Sequence, residues 1–162
     1  MERPLEVRLV GPDAWESWRA IRLRSLEDSP DAFGSTLAHE RGFGPADWQQ
    51  RLADPAVLGF DEDHPVTMGG GWRQQPGQLR VVAMWTEPAF RGRGLSRRVL
   101  DLLVATAREE GRAVTLDVNL GNTVARRFYE RFGFVGTGVT RPLREGSRHV
   151  VEEMILPDPD AG

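Results

Sequence analysis

The stretch Gln78–Glu110 constrains the fold most. It joins a strand-like run, QLRVVAMW (Gln78–Trp85), to a helix-periodic run from about Leu95 to Glu110 through the loop TEPAFRGRGLS. A further strand-like run, AVTLDVNL (Ala113–Leu120), follows Gly111. A strand, a helix and a strand in that order call for a crossover, so the second half of the chain belongs to a mixed α/β (α+β) sheet. Leu95, Val99, Leu102, Leu103 and Thr106 recur at helical spacing and predict that helix's buried stripe.

The remaining elements build outward from this unit. LEVRLV (Leu5–Val10) alternates apolar and polar residues and reads as a strand, ended by Gly11-Pro12. Asp13 is the expected N-cap of a helix reaching about Glu27, with Trp15, Trp18, Ile21 or Arg22, and Leu26 near helical spacing. Glu27–Thr36 is loop-like, and Pro45 opens a short helix. AVLGF (Ala56–Phe60), VTMGGGW (Val66–Trp72) and Gln78–Trp85 then predict an antiparallel meander, with turns at DEDHP and QPG. Asn122 caps a last helix, and two late strands flank the turn REGS. About six to seven strands and about four helices are expected.

The 162 residues suffice for one domain, expected over residues 1–156 with a frayed tail at 157–162. A net charge of -3 gives no general electrostatic case for nucleic acid. The chain has no cysteine, which excludes thiolate chemistry and Cys-ligated zinc; His39, His64 and His149 are scattered, so no metal is expected. The N-terminus lacks an apolar signal-type run and no segment approaches membrane-spanning length, so a cytoplasmic protein is expected. All 21 basic side chains are Arg.

The loop itself points to an anion. Amides at a helix start lack intrahelical partners and carry partial positive charge, and glycines let a ligand approach them. RGRGLS sits at such a start, and Arg91 and Arg93 add charge suited to phosphate oxygens. The nucleotide P-loop needs Lys and fails; the dinucleotide fingerprint fails because Arg97 stands where its third glycine belongs. The alternative is an entry turn whose glycines serve geometry alone.

Arg91-Gly92-Arg93-Gly94-Leu95-Ser96 resembles motif A of the GNAT superfamily of acyl-CoA-dependent N-acyltransferases, with Ser96 where Gly or Ala is usual. LDVNLGNTVARRFYERFGF (Leu116–Phe134) is similar to that family's motif B. The resemblance implies a centrally splayed sheet and an acetyl-CoA (coenzyme A) site. Its diphosphate would rest on the backbone of Arg91, Gly92, Arg93, Gly94, Leu95 and Ser96, and its pantetheine arm on the strand Met84, Trp85 and Thr86. Asn119, Asn122 and Arg126 would contribute contacts, and Tyr129 would face the sulfur as a catalytic acid. At about 100° per residue, Val124, Ala125, Phe128 and Phe132 share one arc of the last helix, with Tyr129 and Asn122 at its edge.

The same resemblance implies acetyl transfer from acetyl-CoA to a primary amine, expected to be that of a small molecule. The general base is open: Gln78 stands close to where some relatives carry Glu, which leaves Glu40 and Glu87 as candidates. Phe33, Trp85, Trp72 and Glu87 are candidates for the acceptor pocket, and Glu40, Glu87 and Asp117 would make it attractive to a cation. Two alternatives stay open: a protein N-terminal or side-chain acetyltransferase, and a non-catalytic acyl-CoA sensor. A homodimer is possible, since many relatives dimerise; neither a nucleic-acid nor a membrane partner is expected.

Overall fold

In the computed structural model, which describes residues 4–159, the alternating strands fall into a single sheet. β1 (Glu6–Val10), β2 (Ala56–Asp61), β3 (His64–Trp72) and β4 (Gln78–Thr86) are successive antiparallel neighbours. β5 (Ala113–Asn119) then runs parallel to β4, and α4 (Leu95–Glu109) is the crossover. β7 (Val150–Leu156) lies between β5 and β6 (Val135–Pro142), giving the order β1-β2-β3-β4-β5-β7-β6. Thus the meander, the crossover and the closing hairpin all follow the sequence pattern.

Each face of the sheet has its own core. α4 and α5 (Thr123–Phe132) cover one face through Val99, Leu103, Phe128 and Phe132 against Val81, Leu116 and Met154. α1 (Trp15–Asp28), α2 (Leu37–Arg41) and α3 (Pro45–Arg51) cover the other through Trp18, Ile21 and Trp48 against Leu58 and Met68. Residues 160–162, part of the tail expected to fray, lie outside the described residues, as do residues 1–3.

Three helix details depart from the sequence reading. Asp13 is not the cap of α1: Pro12–Ala14 form a 3-10 turn, and Ala14 takes the cap position without a side-chain bond. Pro12, with its fixed φ, starts that turn one step too early for Asp13 to serve. α2 was not expected; its signal is Thr36, whose hydroxyl accepts from His39 N at 3.2 Å. In α5, Ala125, Phe128, Tyr129 and Phe132 form the packed stripe, whereas Val124 is 76% exposed. Those four follow the i, i+3, i+4, i+7 rule, so Tyr129 belongs to the inward face rather than its edge.

The feature that positions the site is a break in the sheet. β4 and β5 pair only from Gln78↔Ala113 to Val81↔Leu116. Beyond this, β5 stays paired to β7, while β4 keeps only β3 on its other side. A β-bulge coincides with the break: Met68 opposes Trp85 and Gly70 opposes Val82, so Ala83 and Met84 share one partner position. Ala83 adopts φ 58, a left-handed conformation that costs a non-glycine residue on the order of 1–3 kcal/mol. The bulge bends β4 and reverses its alternation. Val81 and Met84 therefore face α4, while Val82, Ala83 and Trp85 face α1.

Gly69 makes this bend possible. A Cβ there would lie 2.5 Å from Met84 Sδ and 2.6 Å from Val99 Cγ1. α1 and α2 are joined by a buried ion pair, in which Arg22 donates from Nε to Glu40 Oε1 at 3.0 Å and from Nη2 to Oε2 at 2.9 Å. Burial raises the Glu40 pKa, but the bonds and charge of Arg22 outweigh it and hold the carboxyl below its ordinary value.

Two stability outcomes follow. Gly69→Val should lower unfolding free energy by about 1–3 kcal/mol through overpacking, read by denaturant titration; an unchanged midpoint would mean that β3 and α4 leave room for the added methyl groups. Glu40→Ala should cost roughly 3–5 kcal/mol, since it strands a buried guanidinium. Because the Glu40 pKa is lowered by folding, the native pair's contribution should be complete above the unfolded carboxyl value of about 4.3 and fade as pH falls through the lower folded value. A difference between wild type and variant that does not shrink in acid would contradict this.

Candidate active site

Where β4 and β5 part, a cleft of about 1000 Å³ opens on the α1 side of the sheet. Val82, Ala83 and Met84 line it from β4, Asp117 from β5, Val151 from β7 and Tyr129 from α5. Phe33, Ser35 and His39 line it from the α1–α2 loop and α2, and Leu143–Glu145 from the β6–β7 turn. The cleft therefore runs from the sheet break to the surface between two loops.

Tyr129 is the only tyrosine of the chain. Its ring is fixed edge-on by Phe128 at 5.2 Å and Phe134 at 5.8 Å. Among the described residues no group hydrogen-bonds its hydroxyl, although the residue lines the cleft. Burial pushes the phenol above its ordinary pKa, so its proton is retained at neutral pH.

The α4 mouth has the geometry expected of an anion site. Gly92 and Gly94 stand at φ 81 and 75, which glycine alone adopts without strain. A Cβ on either would meet nothing within 4 Å, so the space before the mouth is open. The first helical bond runs from Arg98 N to Gly94 O at 3.2 Å, leaving the amides of Leu95 and Ser96 without intrahelical acceptors. Leu95 is buried and anchors the helix start. Ser96 has a structural reason to be Ser: its hydroxyl bonds Thr86 Oγ1 at 2.9 Å, and Thr86 bonds Thr67 Oγ1 at 2.8 Å. This buried chain of hydroxyls ties β3, the end of β4 and α4 together.

Several predicted side chains are spent on structure. Arg91 donates from Nε to Thr86 O at 2.9 Å and from Nη2 to Asp28 at 3.2 Å, and Arg93 stands 5.5 Å over Phe90. Arg98, in the first turn of α4, donates to Leu5 O at 2.9 Å. Asn122 caps α5, accepting from Ala125 N at 3.0 Å, while Asn119 bonds Asp31 O and Gly121 N. Arg126 pairs with Glu152 at 2.8 Å.

The acceptor-side expectations need correction. Glu40 does not line the cleft and is fully buried against Arg22, so its carboxylate is unavailable as a base. Glu87 lies elsewhere, paired with Arg24 at 2.6 Å and His64 at 3.3 Å. Trp85 turns into the α1-side core, where its Nε1 donates to Asp28 at 3.1 Å. Phe33 and Trp72 do line the cleft, as does Gln78, which has no basic atom. The lining is cationic, not acidic: Arg22, Arg51, Arg80, Arg141 and Arg144 face Asp117 and Glu145. Asp117 is held by Arg80 at 2.5 Å and Arg141 at 2.7 Å. These arginines escaped the sequence reading because they are scattered singly along a chain rich in Arg and share no spacing.

No helix among the described residues is long and apolar enough to cross a membrane, and no cluster of metal-ligating side chains occurs among them.

Comparison with known proteins agrees with this geometry. A mycothiol acetyltransferase of Brachybacterium faecium is 31% identical over 149 residues, which is 82% of this chain and 41% of that protein. An acetyltransferase of Agrobacterium fabrum is 31% identical over 86 residues, 53% of this chain and 62% of that one. The chain thus spans less than two thirds of the length of either relative. Among solved structures, a putative acetyltransferase from Salmonella typhimurium with acetyl-CoA superposes at a TM-score of 0.75, with 18% identity over 99% of this chain and 100% of that one. An N-acetyltransferase from Thermoplasma acidophilum in complex with coenzyme A superposes at 0.70, with 13% identity over 93% and 98%. These likenesses show the fold. Residues 15–134 match the model of the acetyltransferase (GNAT) family, and the chain belongs to that family.

Proposed function

We propose that this chain is an N-acetyltransferase that moves an acetyl group from acetyl-CoA to the primary amine of a small molecule, both substrates being bound together. The observation that carries the reading is the free β4 edge, Val82–Thr86, which leads from the open α4 mouth toward a Tyr hydroxyl without a protein partner. Backbone amides of Gly92–Ser96 would hold the diphosphate, and the unpaired edge of β4 would hold the pantetheine arm as an added strand. Acetyl-CoA supplies an activated acyl group as a thioester.

The chain's own groups then do three things. The cleft holds the amine in line with the carbonyl. Amides at the β4 bulge would stabilise developing charge on the carbonyl oxygen. Tyr129 Oη keeps its proton until a thiolate departs, delivers it there, and as a phenolate takes up the proton that the attacking nitrogen sheds. Among the described cleft residues Asp117 is held by two arginines, Glu145 stands exposed in the β6–β7 turn, and the exposed His39 ring packs edge-on against Phe43, so the amine is taken up in its neutral form without a dedicated base.

Thiol release from acetyl-CoA with an amine panel tests the reading directly. Tyr129→Phe should lower kcat on the order of a hundredfold, with coenzyme A affinity unchanged by calorimetry. Undiminished turnover would remove Tyr129 as the acid. A wild type that binds coenzyme A but acetylates nothing would favour a sensor. The missing base has its own signature: the midpoint of the pH profile of kcat/KM should move with the pKa of the acceptor amine. A midpoint fixed across acceptors would reveal a protein base.

A further inference from the structure

We propose that the amine acceptor also carries a carboxylate, and that Arg51 together with Arg22 binds it at the Phe33 end of the cleft. This rests on the acetyltransferase reading above and adds a substrate class to it. Arg22 is 5% exposed, yet its Nη1 has no hydrogen-bond partner. An orphaned buried donor on a charged group is costly, which is reason to seek an acceptor that arrives with the substrate. Arg51 lines the same cleft, and no hydrogen-bond acceptor reaches it among the described residues.

Charge balance places the surplus. At the sheet break, Arg80 and Arg141 share Asp117 and Glu153, two cations with two anions. At the Phe33 end, Glu40 binds Arg22 through both oxygens, and Asp54 lies 3.6 Å from Arg73, which holds Glu110 at 2.6 Å, so neither Glu40 nor Asp54 hydrogen-bonds Arg51. Among the described residues Arg144 meets carbonyls alone there, Phe33 O at 3.0 Å and Pro30 O at 3.4 Å. Burial and the neighbouring Arg22 charge depress the pKa of Arg51, and the pull of Glu40 and Asp54 in the other direction does not offset them. Glu145, at the exposed rim, pairs with none of these arginines. A planar carboxylate can take two donors at once, matching the free Nη1 and a second guanidinium. Phe33, its ring 4.8 Å beneath Arg22, and the half-exposed Trp72 supply apolar walls for the rest of the molecule.

The test uses L-amino acids and their primary amides as matched acceptors, with thiol release as readout. Calorimetry with N-acetyl-L-amino acids and their amides reads binding separately. Wild type should prefer acids over amides by tenfold or more in kcat/KM. Arg51→Met should bring that ratio near one, chiefly by raising KM for the acids, with coenzyme A affinity unchanged; Arg51→Lys should keep part of it. Equal use of acids and amides, or an equal loss on both in Arg51→Met, overturns the proposal. So does the absence of Arg51-dependent binding of the acids. If no amine is acetylated while N-acetyl-L-amino acids still bind through Arg51, the carboxylate site stands and the transferase reading fails. Brisk acetylation without any acid preference has the opposite meaning.

Discussion

The loss of pairing between β4 and β5 after Val81 and Leu116 is the constraint on which the rest of this structure depends. Parallel neighbours normally satisfy one another's backbone along their length, and an unpaired edge inside a sheet is unfavourable. Here the cost is accepted at a single place and accompanied by a bulge at Ala83, a strained φ and a glycine that lets Met84 turn under β3. Rigid surroundings hold the strain. The Thr67–Thr86–Ser96 hydroxyl chain fixes the far end of β4 to α4, so the parted strand is anchored beyond the break as well as before it.

Local signals in the sequence reach as far as this anchor. The strand-like run Gln78–Trp85, the glycines before Leu95 and Asn122 before Thr123 each specify a local conformation, and each appears as read. That Tyr129 faces a cleft was legible, though helical spacing alone put it at the edge of a face that it in fact shares with Phe128 and Phe132. α2 was hidden because five residues are too few to show a period, and its Thr36 cap is weak evidence alone. The fate of charged side chains was not legible. Glu40 looked like a base only because nothing local to AHER shows that Arg22, eighteen residues earlier, is waiting for it. Glu87 and Trp85 follow the bulge, whose reversal of alternation cannot be read from a strand pattern that assumes a strict period of two.

The arginines that line the cleft bear on what kind of acceptor would suit it. A pocket faced by Glu40 and Glu87 would have welcomed a cation, which must then lose a proton before it can attack. With both acids removed to ion pairs, the cleft presents arginines instead. Positive surroundings favour the neutral form of a nearby amine, because they penalise its protonation as any like charge does. The same arginines that would hold an anionic part of the acceptor would therefore also lower the pKa of its amine. In the proposed reaction this supplies what a general base would otherwise do.

The two faces of the sheet then take separate duties. α4 and α5 form one face, with the open amides at the helix mouth and the core that grips the Tyr129 ring. α1, α2 and the β6–β7 turn form the other, with the Arg22–Glu40 pair as its buried strut. An intact sheet would keep the faces apart. Because β4 diverges, a thioester lying along its edge would be open to attack from the α1 side while its diphosphate remained on the α4 side. The phenol at the junction is buried enough to stay protonated and lines the cleft, as the proposed delivery of a proton to a departing sulfur would require. On this view the strain at Ala83 is the structural cost of letting two ligands meet through a sheet rather than around it.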